Sequence, residues 1–383
     1  MLIKKLFIFI FSFVLCAVPL FSYGYYEAEI SAESAVVINA ETKEIIFEKN
    51  AFLKKSMAST TKIMTSLIAV ESGRLSDKVT VADKIHSDGS SVGLKEGYTL
   101  TLENLVYAMM LESGNDAAEV TAEYFCASEE RFSDLMNKKA REIGMNNTNF
   151  VTASGLDSDE HYTTAYDMAL LGAYAVRNPV FRRFCSTDTK TVTYINPSVS
   201  MMFSNHNKLL NNCEGVYGIK TGFTKKSGRC LVSACSRDGA NFVAVTLNAG
   251  DDWNDHIKLY DYGFENLRYE DVYLRFPDSI RVYGSEKCEC NISISKSPLT
   301  VAVSENVKGL RQKIYLPSFL YAPVKKGEII GKVELYSDDR LISVVNILAA
   351  DDIGSISPMP EKENILKKLA DKITDFFKQP KGK

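Results

Sequence analysis

Three short clusters of chemistry-bearing side chains stand in order along the chain: Ser59-Thr60-Thr61-Lys62, Ser113-Gly114-Asn115 and Lys220-Thr221-Gly222. A serine hydroxyl is a weak nucleophile at neutral pH and needs a base within about 2.6–3.2 Å. A lysine three residues on shares its face if the segment is helical. That amine can act as the base if burial or a neighbouring positive charge lowers its pKa, and Lys220 can supply the charge. The spacing alone is a weak signal, because Ser-x-x-Lys recurs at Ser293–Lys296 and Ser-x-Asn at Ser304–Asn306. Ser293 and Lys296 fall in an alternating strand pattern, where residues three apart face opposite ways and cannot cooperate. Ser59, Lys62, Ile63, Ser66, Leu67 and Val70 instead recur at three-and-four spacing, which predicts one helix face. A lysine on such an apolar stripe is uncommon without a partner or a task. Ser113 and Asn115 read as a loop between helices, where a hydroxyl can relay a proton and a carboxamide can hold a peptide bond. Ser-Gly-Asn-Asp suits a plain helix-capping turn equally well. Lys220 and Thr221 suit a substrate carboxylate, and Gly222 before Phe223 lets a substrate backbone approach as an added strand. An ordinary strand end is the competing reading.

Elements must position these groups. Ser34–Phe47 reads as a hairpin about an Asn39–Lys43 turn, and Ser56 reads as a cap for the following helix, which Gly73 ends. A mostly helical stretch is expected from Leu102 to about Gly144, and a further helix from near Thr163. Cys230–Cys235 and Phe242–Leu247 are apolar runs joined through Arg237-Asp238-Gly239, a hairpin signature. Strands, then helices, then strands predict an α+β fold, an antiparallel sheet with a helical cluster. After about Arg268 short β-like segments recur at Val272–Phe276, Ser279–Tyr283, Cys290–Ser295, Leu299–Val303, Gln312–Leu316, Glu328–Tyr336 and Leu341–Leu348. They predict a small all-β sandwich over residues 269–356.

The ends of the 383-residue chain differ from its middle. Lys4 and Lys5, the apolar run Leu6–Phe21, and the small residues Ser22 and Gly24 predict a signal peptide over residues 1–24. Residues 357–383 read as a basic amphipathic tail. Ile365, Leu366, Leu369, Ile373, Phe376 and Phe377 lie on one side of a helix and lysines on the rest, which suits an anionic membrane surface through residues 361–378. A terminal helix docked on protein is the alternative. The protein is therefore expected outside the cytoplasm, on the outer face of the cytoplasmic membrane. A net charge of −3 argues against a nucleic-acid partner. Beyond Cys16 seven cysteines remain, without a CxxC pair or zinc-site spacing, so neither a metal nor a disulfide is assigned.

Taken together, the three clusters resemble the penicillin-interacting serine enzymes, which share Ser-x-x-Lys, Ser-x-Asn and Lys-Thr-Gly. The chain is most similar to the low-molecular-mass penicillin-binding proteins that act as serine-type D-alanyl-D-alanine carboxypeptidases (peptidase S11). Met57–Thr65, Gly155-Leu156-Asp157, Gly215–Gly228 and Ala322–Gly327 carry that likeness further. The resemblance implies a β-lactamase/transpeptidase-like domain over residues 25–268. It implies peptidoglycan stem peptides as substrates, β-lactams as covalent inhibitors, and no cofactor. Ser59 would attack the penultimate D-alanine and Lys62 would take its proton. Ser113 and Lys220 would assist the leaving group. Asn115 would hold the substrate amide, and Lys220 and Thr221 the terminal carboxylate. Amides of Ser59 and Phe223 would form the oxyanion hole. Two departures stand out. Ser154 occupies the place before Gly-Leu where relatives commonly carry histidine. The carboxylate-binding arginine some relatives carry is missing from Asp251–His256, and His256 and the nearby Lys258 are weak candidates to replace it. A β-lactamase, a D,D-endopeptidase and a catalytically idle wall scaffold are the competing functions.

Overall fold

Strand Ser34–Asn39 is buried along its whole length because its sheet is covered on both faces. Val36 and Ile38 pack into a helical core with Met64, Leu67, Leu105 and Leu171. Ala35 and Val37 face the other way, onto Leu231, Phe242, Leu259 and Tyr260. The computed structural model describes residues 29–356, apart from 83, 84, 86, 87, 238, 295–297, 305–308, 338 and 339. The segments expected to be a signal peptide and a membrane-binding tail lie outside the described residues.

The sheet is antiparallel throughout, in the order Ile45–Lys49, Ser34–Asn39, Ala240–Ala249, Gly228–Arg237, Val216–Thr224. Both expected hairpins form. The first turns on Asn39, whose side-chain oxygen accepts from the amides of Glu41 (2.9 Å) and Thr42 (3.0 Å). The strand bearing Lys220, Thr221 and Gly222 lies at the sheet edge, so one row of its backbone groups faces away from the sheet. Helix Asp252–Glu265 covers one face of the sheet. On the other face lie helices Lys62–Glu71, Leu102–Leu111, Asn115–Cys126, Glu129–Ile143 and Ala165–Val176. Three of these start on side-chain caps that satisfy orphan amides: Thr101, Ser128 and Thr164.

The nucleophile segment departs from the expected helix start. Ser56 caps nothing. A 3-10 turn, Ala58–Thr61, precedes helix Lys62–Glu71, and neither begins on a side-chain cap. Ala58 has φ +48°, which breaks the helical path before Ser59. Thr60 and Thr61 donate their hydroxyls back to the carbonyls of Met57 and Ala58, at 2.6 and 2.8 Å. Ser59 therefore sits on the turn and Lys62 opens the helix.

From Leu267 the chain is all-β among the described residues. A six-stranded sheet runs Leu310–Tyr315, Ile329–Ser337, Arg340–Ala349, Glu289–Ile294, Ser279–Tyr283, Leu320–Tyr321, with Ile280, Cys290, Ile292, Val333 and Ile347 in its core. The strand expected at Val272–Phe276 forms earlier. Leu267–Val272 pairs with Leu299–Ser304 and runs across position 268, and residues 273–276 form no strand. Ser293 lies in a strand, as its alternating surroundings predict. The seven described cysteines are free, and Cys185, Cys213, Cys230, Cys235 and Cys290 are buried.

The loop at Gly155 locks the nucleophile turn in place. Its φ is +90°, and an added Cβ would stand 2.0 Å from the Ala58 carbonyl oxygen and 2.8 Å from Thr61 Oγ1. Gly144, at φ +97°, has nothing within 4 Å of that position. Gly155→Ala is expected to cost about 3 kcal/mol or more, because backbone must move. Gly144→Ala should cost only about 1 kcal/mol, for the left-handed conformation alone. Urea midpoints of the two variants check the difference.

Candidate active site

Lys62 is completely buried and its amine touches three oxygens. Nζ lies 3.0 Å from Ser59 Oγ, 2.6 Å from Asn115 Oδ1 and 2.6 Å from the Ser154 carbonyl. Asn115 is oriented by its own amide group, which donates to the Asp88 carbonyl at 2.5 Å. Asn115 Oδ1 and the Ser154 carbonyl can only accept, so a neutral amine gives them its two N–H groups. Its lone pair is left for the Ser59 hydroxyl, the arrangement a general base needs.

Electrostatics favour that neutral form. Burial first, and then the charge of Lys220, push the Lys62 pKa well below the ordinary lysine value, while Asp116 pulls it back. Lys220 is 1% exposed, and burial lowers it to about 7 against the opposing pull of Glu112. Glu112 is held in turn by the Ser204 amide at 2.6 Å and faces His206 at 3.6 Å.

The third cluster packs directly against the nucleophile. A Cβ on Gly222 would lie 3.0 Å from the backbone nitrogens of both Ser59 and Thr60, so only glycine lets the edge strand come this close. Thr221 is half-buried on the opposite face of the strand, and Phe223 is 67% exposed. Ser113 is buried at φ +60°, a conformation uncommon for serine, in the link between two helices. That link is pinned to residues 90–94. Asn115 N–H donates to the Ser90 carbonyl, and the buried Asp116 carboxylate accepts from Ser91 Oγ and the amides of Val92 and Leu94. Lys62 does not bond Ser113; its partners are Ser59, Asn115 and Ser154. The structure thus brings Ser59, Lys62, Asn115 and Gly222 into one contiguous site, with Lys220 close enough to act on the Lys62 amine.

Two open points have structural answers. Ser154 serves Lys62 through its main-chain carbonyl, so the contact does not depend on the side chain there. Neither substitute for the arginine is available. His256 is completely buried between Ser233 Oγ (2.6 Å) and Thr246 Oγ1 (3.0 Å), and Lys258 Nζ donates to the Glu29 carbonyl at 2.8 Å.

The sequence reading passed over Asp116, Glu112 and His161. Asp116 is an acidic residue on a helix face shared with Ala117 and Val120, a burial signal of the same kind as Lys62. His161 carries no local signal. Its Nδ1 accepts from the Val151 amide at 2.9 Å, so Nε2 bears the proton and donates to Thr61 Oγ1 at 2.8 Å. Burial, and then the Lys62 amine, hold its pKa near 4.

A serine hydroxyl beside a buried lysine amine, under an antiparallel sheet with a helical cluster, is the arrangement of the β-lactamase-like serine hydrolases. Residues 23–251 match the family described as D-alanyl-D-alanine carboxypeptidase, peptidase S11, and residues 273–355 match the C-terminal domain of penicillin-binding protein 5. The chain belongs to the D-alanyl-D-alanine carboxypeptidase family and is a serine-type hydrolase. It is 29% identical over 336 residues to D-alanyl-D-alanine carboxypeptidase DacF of Bacillus subtilis, covering 84% of this chain and 86% of that one. The D-alanyl-D-alanine carboxypeptidase DacD structure from Francisella tularensis matches with TM-score 0.58 at 28% identity, over 86% of this chain and 95% of that one. Penicillin-binding protein D2 from Listeria monocytogenes, solved in an ampicillin-bound form, matches with TM-score 0.55 at 30% identity, over 61% and 98%.

The buried imidazole sets a pH dependence of stability. His161 has a folded pKa of about 4, below its ordinary value of 6.5, so the unfolded chain binds more protons between those values. Stability is full above pH 6.5 and falls as pH drops toward 4, by about 3 kcal/mol from this group. Urea titrations across that range check this. His161→Gln should have a lower plateau and a flatter decline.

Proposed function

We propose that the protein removes the terminal D-alanine from peptidoglycan stem peptides through an acyl-enzyme on Ser59. The Lys62 amine, 3.0 Å from Ser59 Oγ with its other contacts to acceptors only, carries this reading. Ser59 Oγ attacks the carbonyl carbon of the penultimate D-alanine, and the hydroxyl proton passes to Lys62. Amides of Ser59 and Phe223 hold the oxyanion, a contribution of about 2.7–4 kcal/mol per donor. The tetrahedral intermediate collapses and the C–N bond breaks. The departing D-alanine nitrogen takes the proton from Lys62, with the Ser113 hydroxyl and Lys220 assisting the transfer. Water then attacks the ester, gives a proton to Lys62, and returns Ser59 to its hydroxyl form. Asn115 holds the substrate amide, and Thr221 with Lys220 receives the terminal carboxylate. A β-lactam acylates the same oxygen; the ampicillin-bound form of the Listeria relative supports this. Export by residues 1–24 and attachment to an anionic membrane surface by residues 361–378 complete the reading. Among the described residues no helix is long and apolar enough to cross a membrane.

Mass spectrometry of penicillin-treated protein should show one adduct, on Ser59 and absent from Ser59→Ala. A pentapeptide ending in D-Ala-D-Ala should lose one D-alanine. No adduct and no D-alanine would sink the proposal, and steady β-lactam turnover would instead favour a β-lactamase. Lys62→Met should slow acylation on the order of 1000-fold. With Lys62 lowered by burial and by Lys220, the rising limb of acylation against pH should lie well below the ordinary lysine value.

A further inference from the structure

The proposed substrate ends in a carboxylate, and its usual arginine partner is missing. Residues along a strand alternate between faces. Lys220 and Gly222 face the helical core, as do their cross-strand partners Val232 and Cys230. Thr221 faces the other way, opposite Leu231, which packs with Leu259 and Tyr260 of the covering helix. Phe223 follows on that face, and its cross-strand partner is Arg229. Arg229 is thus the diagonal neighbour of Thr221 on the next strand, about 7–8 Å away at the backbone and within reach of a long side chain.

Arg229 is half-exposed, and its anchor is not. Nη1 lies 3.4 Å from Oδ1 of Asp252, whose side chain is 4% exposed at the start of helix Asp252–Glu265. A buried carboxylate aims the guanidinium, while that one long contact leaves most of its five N–H groups for a second carboxylate. Of the other cations nearby, Lys226 pairs with Asp159, Lys258 donates to the Glu29 carbonyl, and Lys225 is exposed in the turn beyond Phe223. Burial raises the Asp252 pKa above the ordinary carboxylate value, and the Arg229 charge offsets part of that rise.

We infer that Arg229, held by Asp252, is the specificity residue that binds the substrate's terminal carboxylate beside Thr221, in the role of the absent arginine. This rests on the acyl-transfer reading of Ser59. A carboxylate arriving along the edge strand can take a hydroxyl from Thr221 and a forked pair of N–H groups from Arg229. The tether comes from the region where the arginine was sought: Asp252 lies within Asp251–His256, and the charge it positions comes from the neighbouring strand.

The test compares diacetyl-lysyl-D-alanyl-D-alanine with its C-terminal amide, each on wild type, Arg229→Leu, Arg229→Lys and Lys225→Ala. Arg229→Leu should lower kcat/KM for the acid on the order of 100-fold, the scale of one charge-assisted contact, and shift the amide less than about threefold. Arg229→Lys should recover part of the loss, and Lys225→Ala should behave as wild type. Asp252→Asn should raise KM for the acid more than it lowers kcat. Equal losses on acid and amide would show a structural role and overturn the assignment, as would an unchanged acid rate. Those outcomes leave wild-type acylation intact. If wild type forms no acyl-enzyme with either peptide, the Ser59 reading itself falls, and this assignment with it.

Discussion

The structure turns on one amine kept out of water. An ammonium group sealed inside a protein is heavily penalised, so a completely buried lysine drifts toward its neutral form unless a counter-charge holds it. Around Lys62 the balance falls on the neutral side. Asp116 draws the proton in, while burial and Lys220 drive it off, and the result is an amine able to take a proton and give it back. Asp116 is itself committed to Ser91 and to the amides of Val92 and Leu94, so it acts as a fixed charge at a distance rather than as a direct salt-bridge partner.

Holding that amine beside a hydroxyl requires unfavourable backbone. Ala58 at φ +48° and Ser113 at φ +60° flank the site, and Gly155 and Gly222 permit contacts that any side chain would block. Such conformations cost on the order of 1–3 kcal/mol each and persist only where their surroundings over-determine them. Here the surroundings do. Thr60 and Thr61 tie the nucleophile turn to its own carbonyls, His161 fixes Thr61 from below, and Asn115 and Asp116 pin residues 88–94 across the cleft. The three-layer packing gives these ties a rigid frame. The helical cluster carries the serine, the lysine and the asparagine, and the sheet brings up the edge strand against them.

The same layering separates two electrostatic environments. On the helical side of the edge strand the groups are buried, and their charges are depressed by lack of water. On the far side Thr221, Phe223 and Arg229 meet solvent, where an incoming peptide can bring a charge of its own. One strand thus presents Lys220 and Gly222 to the buried side and Thr221 and Phe223 to the solvent side, because alternate residues of an extended chain point opposite ways.

Much of this was legible in the sequence. Local periodicity announced the helices and hairpins, and the three-residue step from Ser59 to Lys62 announced a shared face. The alternating context of Ser293 dismissed the second copy of the motif. Local pattern failed where the determining contact is remote. Ser56 resembles a cap, yet positive φ at Ala58, wedged against Gly155, sets the true start of the helix. His161 reaches Thr61 across 100 residues, and Lys62 reaches Ser154 across 92. Asp252 and Arg229 meet only because a helix folds back over the sheet. Residue type and spacing determined which chemistry was possible, since they follow from bonds between near neighbours. Burial, and with it the charge state of every group in the site, was decided only when distant segments packed together and excluded water.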